Sequence, residues 1–239
     1  MTKETLCLIF VGPPGAGKGT QALRISKALG FPIVSMGALI RAIFGRETDF
    51  DAEGLRIAFG DNYRDKISTA IRSTLEELKA KRSPLGEFTV EDLHRMHDEG
   101  KLLPDELIMT FLKHALMGIK DEISRGIILD GVPRTVKQAE MLDEVLSEVG
   151  IAKLRVVLLD VPKEECFNRI IRRAKEQPTR EDYAKFDVRW KEYEEKTVPM
   201  IEYYEKKGVL IRVNGVGTIE EITERILKAL GLRSPCNPS

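Results

Sequence analysis

The chain has 239 residues, 42% of them apolar and 32% charged, with 38 basic side chains balanced by 38 acidic ones. This length and composition predict one large globular domain, or one domain with inserts, with enough chain to bury a core. The zero charge balance gives no reason to expect bulk binding to nucleic acid or to a membrane surface, and no apolar stretch approaches the roughly 18 residues of a membrane span. "MTKET" shows no secretory pattern. Cys7, Cys166 and Cys236 are far apart and form no CxxC pair, so neither a disulfide framework nor a zinc site is expected. A reducing cytoplasmic setting follows. The final "CNPS" has Asn237 and Pro238 where prenylation needs aliphatic residues, so 234–239 reads as a disordered tail.

In chain order, the apolar run "LCLIFV" (6–11) leads directly into "GPPGAGKGTQ" (12–21). Further β-rich runs are "PIVSM" (32–36), "GIILDGV" (126–132), "LRVVLLDV" (154–161) and "VLIRV" (209–213). Most are apolar throughout, as strands covered on both faces are. Helical patterns lie between them. The order therefore predicts an α/β fold with a parallel five-stranded sheet and helices on both faces.

Two stretches break the alternation. Residues 37–118 separate the second and third strands, far more than a crossover needs. Within them, 61–82 places Ile67, Ile71, Leu75 and Leu78 on one face of an amphipathic helix. Residues 83–88 read as a loop, and 89–100 as a helix capped by Thr89 and closed at Gly100. The block is expected to be a mostly helical inserted subdomain, with Phe50 and Leu55 exposed. The second stretch, "RRAKEQPTRED" (172–182), is charged, contains Pro178 and reads as an exposed loop between two helices.

"GPPGAGKGT" approximates G-x-x-x-x-G-K-[ST], with Gly19 inserted between Lys18 and Thr20. Glycines permit positive φ and close approach, so successive N–H groups can curl around an anion. A helix starting near Lys18 adds its positive end. The expected triphosphate cradle is Gly12, Gly15, Ala16, Gly17, Lys18, Gly19 and Thr20. Lys18 would reach the β- and γ-phosphates, and the Thr20 hydroxyl is a candidate Mg²⁺ ligand. The plainer alternative is a tight strand–helix turn without a ligand.

"GPPGAGKGTQ", "GKLLPDEL" (100–107), "LDGVPRTVKQAE" (129–140) and "TVPMIEYYEKKG" (197–208) occur in this order. Together they resemble the adenylate kinase family of nucleoside monophosphate kinases, whose plan covers nearly the whole chain. The resemblance implies a P-loop kinase fold and reversible Mg²⁺-dependent transfer between ATP, the phosphoryl donor, and AMP. It implies a core at 1–36, 119–173 and 183–233, a monophosphate-binding domain at 37–118 and a short LID at 174–182. On the acceptor side it implies roles for Met36, Gly37, Arg41, Gly131, Arg134 and Gln138, with Arg41 and Arg134 on phosphate and Gln138 on adenine. Asp130 would hold Mg²⁺ through water, and Arg169 and Arg173 would serve the donor. Arg180 and Arg189 would bridge the transferring group, making Lys18, Arg134, Arg180 and Arg189 the catalytic set. No strong base is needed, since the acceptor is already a phosphate oxygen; positioning, charge and exclusion of water carry the reaction.

Several positions depart from the family pattern. Met36 and Ala38 stand where Thr and Asp are usual, and Val132 where Phe is usual. The LID has no glycine ahead of Arg180, one acid fewer and a shorter span to Arg189. It lacks zinc ligands, so no structural zinc is expected. Arg41 to Gly100 spans 59 positions, and about 45–88 is extra, either an elaborated helical domain or a protein contact. His94, His97 and His114 read as solvated or partly buried, with no third ligand near the first two. The expected partners are small nucleotides, with no nucleic acid and no membrane, for a monomeric cytoplasmic enzyme. The alternatives are a UMP/CMP-type kinase and a nucleotide-binding interaction module with weak or no kinase activity. Asn after the Pro-Arg of "DGVPRT" would favour UMP or CMP; Thr135 stands there.

Overall fold

A computed structural model describes residues 5–99, 103–123, 125–176 and 184–232. Its centre is a five-stranded, all-parallel sheet in the order β2-β3-β1-β4-β5. The strands are β1 (Leu6–Val11), β2 (Ile33–Ser35), β3 (Gly126–Asp130), β4 (Lys153–Asp160) and β5 (Leu210–Asn214). The expected runs at 32–36 and 126–132 are trimmed. Met36 already begins a helix, and Gly131, at φ 77°, turns the chain out of the sheet.

β1 explains why the sheet is covered on both faces. Cys7, Ile9 and Val11 enter one core, and Leu8 and Phe10 the other. Successive side chains on a strand point to opposite faces, so an unbroken apolar run needs two covering layers. One layer comprises α1 (Lys18–Leu29), packed beside α11 (Ile219–Ala229), with α8 (Lys163–Glu176) and α9 (Phe186–Glu192). The other contains α2 (Met36–Ile43), α6 (Asp105–Met117), α7 (Val136–Glu148) and α10 (Val198–Lys206).

Between α2 and α6 lie α3 (Asp49–Phe59), α4 (Tyr63–Ala80) and α5 (Val90–Asp98). α4 forms where the four-four-three spacing predicted it: Ile67, Ile71 and Leu78 are buried and Leu75 is partly buried. Thr89 caps α5 through Asp92 N–H, and Asp92 accepts back from Thr89 N–H.

Two expectations change. α3 buries Leu55 and Phe59 and leaves Phe50 37% exposed, because α3 packs against β2 and α4. The stretch 172–182 opens as helix, since α8 runs to Glu176 with Ile170 in the core. Its charged character marks an exposed helical end; 177–183 lie outside the described residues.

Candidate active site

β1, β3 and β4 all run parallel, so the loops leaving them gather at one edge of the sheet. A crevice at the carboxyl ends of such strands, where the strand order reverses, is the usual binding place of an open α/β sheet. Here one pocket at that edge is lined by Gly12, Lys18, Gly131, Arg134, Arg189 and Glu192, among others.

The Gly12–Thr20 segment is shaped by backbone. Gly12, Gly15 and Gly17 have φ of 145°, 87° and 90°, all costly for other residues. A Cβ at Gly12 would lie 2.7 Å from the Leu159 carbonyl, and one at Gly15 would strike that of Cys166. The loop therefore lies against β4 and α8. Gly17 caps α1 without a side-chain hydrogen bond, so the helix start presents backbone N–H groups.

Lys18 Nζ donates to the carbonyls of Gly12 and Pro13, both at 2.8 Å. Burial lowers its pKa to about 8, with Asp130 opposing the shift and Arg134 and Arg189 adding to it. Burial, then Arg189, lower Arg134 to about 10. Lys18, Arg134 and Arg189 thus share one pocket, with the buried Asp130 carboxylate offsetting the charge of the first two, a concentration of positive charge suited to a polyanion.

Asp130 ends β3 and accepts from Ser35 Oγ at 3.1 Å. A Cβ at Gly19 would sit 3.3 Å from Asp130 Oδ2, so the bare glycine keeps that carboxylate accessible from the start of α1. Carboxylate and hydroxyl oxygens fit a hard cation. Asp130 and Thr20 are the residues that could hold Mg²⁺.

The Arg134 loop is braced from several elements. Arg134 Nε donates to the Gly131 carbonyl at 2.8 Å, and Arg134 N–H donates to Gln138 Oε1 at 2.7 Å. Gln138 Nε2 and Thr135 Oγ1 both donate to Asp105 Oδ1 at 2.9 Å. Thr197 Oγ1 donates to the Arg134 carbonyl at 3.0 Å. Thr197 ends a π-helical turn, Tyr193–Thr197, whose first residue also lines the pocket; such turns are frequent at functional sites.

Arg41 stands on α2, and its Nη1 would lie 3.2 Å from a Cβ at Gly37. Gly37 N would be 4.0 Å from a Cβ at Gly131, which brings the α2 start to the Arg134 loop. Met36 and Val132 are 2% and 1% exposed, so these two departures from the family pattern sit mainly in the core.

Arg169 lies behind the cradle. It donates to the carbonyls of Ala16 at 3.2 Å and Gly215 at 2.9 Å, and pairs with Glu165. It ties the glycine loop to the turn after β5. Arg173 is half-buried, one turn further along α8. Arg180 falls outside the described residues.

Sequence reasoning missed Ser35, Asp105, Thr197 and the contacts of Phe50 and Asp51. Thr197 and Asp105 lie within quoted motifs. Ser35 lies in the strand run at 32–36, and Thr48 with Asp51 spells a helix cap, but nothing local shows that Ser35 meets Asp130, that Asp51 meets Arg41 or that Phe50 lies beside Gly19.

A family model described as Adenylate kinase matches residues 66–209, and one described as an AAA domain matches 11–83. Curated relatives named Adenylate kinase cover almost the whole chain. That of Thermus thermophilus is 38% identical over 226 residues, 94% of this chain and 97% of the relative. That of Xanthomonas euvesicatoria pv. vesicatoria is 36% identical over 225 residues, 94% and 98%. That of Kocuria rhizophila is 34% identical over 228 residues, 93% and 97%.

The chain belongs to the adenylate kinase family.

It is accordingly a nucleotide-binding phosphotransferase of the P-loop fold. Among the described residues, no helix is long and apolar enough to cross a membrane.

Proposed function

We propose that the protein catalyses ATP + AMP = 2 ADP in the cleft at the carboxyl edge of the sheet, with Mg²⁺. The carrying observation is that Lys18, Arg134 and Arg189 line the same pocket as Gly12 and Gly131. In this reading the Gly12–Thr20 segment binds the donor phosphates by backbone N–H groups, and Lys18 leaves its two carbonyls to contact them. Arg169 and Arg173 serve the donor side. Arg41 and Arg134 bind the acceptor phosphate, Gln138 faces adenine beside Met36, Gly37 and Gly131, and Arg189 with Arg180 spans the transferring group. Asp130, through water, and Thr20 would hold Mg²⁺, which would supply positive charge against the donor phosphates.

The residues work by positioning and by fixed charge. An arginine held by backbone and side-chain contacts before the nucleotide arrives need not reorganise as charge develops. Residues 37–118 form the monophosphate-binding domain in this reading, elaborated at about 45–88, and 174–182 the LID. The enzyme is taken as a cytoplasmic monomer.

Arg134→Ala tests the assignment. Its kcat in the ADP-forming direction is expected to fall by about 10²-fold or more, with circular dichroism unchanged. Full turnover in folded Arg134→Ala protein would remove Arg134 from the reaction.

A further inference from the structure

α3 brings two side chains toward the cleft, one beside Arg41 and one beside the start of α1. Its first turn is fixed by a capping box: Asp51 N–H donates to Thr48 Oγ1 at 3.2 Å, and Thr48 N–H donates to Asp51 Oδ2 at 2.9 Å. Thr48 Oγ1 also donates to Asp51 Oδ2, at 2.8 Å. Asp51 is 5% exposed. The same carboxylate receives Arg41 Nε on Oδ2 at 2.8 Å and Arg41 Nη2 on Oδ1 at 2.6 Å. Burial alone would raise the Asp51 pKa, but Arg41 and Thr48 hold it below the ordinary carboxylate value, so Asp51 is charged at neutral pH.

This pairing is more than a cap. A guanidinium has five N–H donors in a rigid plane. Asp51 takes the Nε–Nη2 edge. The donors it does not use are the two on Nη1 and the second on Nη2; one N–H of Nη1 and that second N–H of Nη2 run parallel and form the end-on fork. Nη1 lies over the bare backbone of Gly37, near the Arg134 loop. A two-point ion pair fixes the plane of the guanidinium, not only its position.

Phe50, the neighbour of Asp51, independently places the start of α3 at the site. Its Cε1 would be 3.6 Å from a Cβ at Gly19, the glycine that also faces Asp130. One turn of α3 therefore reaches both the start of α1 and Arg41.

We propose that Asp51 is a positioning residue for the acceptor: it holds the Arg41 guanidinium so that its end-on fork faces the monophosphate. The inference rests on the reading of Arg41 as an acceptor-phosphate ligand. Asp51 itself touches no substrate. Its carboxylate neutralises one of several cations without occupying the phosphate-binding edge, so orientation is gained while Lys18, Arg134 and Arg189 keep the cleft positive.

The test is AMP affinity by calorimetry without ATP, together with steady-state constants, for Asp51→Asn, Arg41→Ala and the double variant. Asp51→Asn should weaken AMP binding roughly tenfold, corresponding to about 1.4 kcal/mol, and raise the KM for AMP in proportion. The KM for ATP should stay within about twofold. In the Arg41→Ala background the same change should have little further effect, since coupled neighbours are non-additive. If Arg41→Ala leaves AMP affinity unchanged, the reading of Arg41 fails. If Arg41→Ala weakens AMP but Asp51→Asn only lowers the melting temperature, Asp51 is a structural ion-pair partner and the inference is overturned. Tighter AMP binding in Asp51→Asn would also overturn it, by showing that the carboxylate competes with the acceptor. Should Asp51→Asn not fold, Asp51→Glu keeps the charge on a longer arm. It should weaken AMP selectively by a few-fold, and unchanged AMP affinity there counts against the inference.

Discussion

The glycine cradle and the α3–α4 pair, which touch where Phe50 lies beside Gly19, are built differently. The cradle is local. Its shape comes from φ values that glycine adopts easily, within nine consecutive residues, and its anion site is backbone. The α3–α4 pair acts through side chains that find partners on other elements: Asp51 with Arg41 on α2, Phe50 beside Gly19 on α1, and Glu77 with Lys113 and His114 on α6. A local backbone device can be recognised in a string of residues. A device made of tertiary pairs needs the packing.

The comparison can be broken most sharply at the cradle. Lys18→Ala should lower kcat by about 10²–10³-fold with the fold intact, measured by coupled turnover and circular dichroism; near-normal turnover would remove Lys18 from catalysis. Gly15→Ala is next. The added Cβ strikes the Cys166 carbonyl at a φ of 87°, so strain of about 1–3 kcal/mol is expected. ATP affinity and melting temperature should fall together. An unchanged ATP affinity would mean that the loop shape is not what binds phosphate.

In the α3–α4 pair the effects should appear in stability first. Leu78 is fully buried, and Leu78→Ala should cost about 2–5 kcal/mol by urea unfolding. The KM for ATP should barely move, because α4 does not line the pocket. A large rise would mean that the pair and the cradle are coupled through the core.

Much of this contrast was legible beforehand. The sheet and its covering were readable because strands buried on both faces carry unbroken apolar runs. The cradle was readable because Gly12, Gly15, Gly17 and Lys18 lie together in sequence. Lys18, Arg134 and Arg189 could be selected from separate motifs, and the structure lines one pocket with them. Asp51 could not be selected. Thr48 and Asp51 spell an ordinary cap, and nothing local shows that the Asp51 carboxylate also faces Arg41. The end of α8 was misread because charge on an exposed helical face resembles charge in a loop. Phe50 and Leu55 were grouped together because only α3 packing on β2 separates an exposed residue from a buried one.

A finer effect concerns pH. Burial alone would raise the Glu77 carboxyl, but hydrogen bonds from Lys113 and Lys81 take its pKa from 4.5 down to about 2. A carboxylate whose folded pKa is depressed stabilises the fold above its ordinary pKa, and that contribution is lost as pH falls from 4.5 toward about 2. Glu77→Gln should therefore cost about 1 kcal/mol near neutral pH, and the gap to the parent protein should close in acid. A gap independent of pH would show that packing, not charge, is what Glu77 supplies.

The most direct test of the central claim is phosphorus NMR of the protein with Mg²⁺ and ADP alone. The account predicts that ATP and AMP appear in equal amounts and that Lys18→Ala abolishes the conversion. ADP that stays unchanged with folded protein would contradict it.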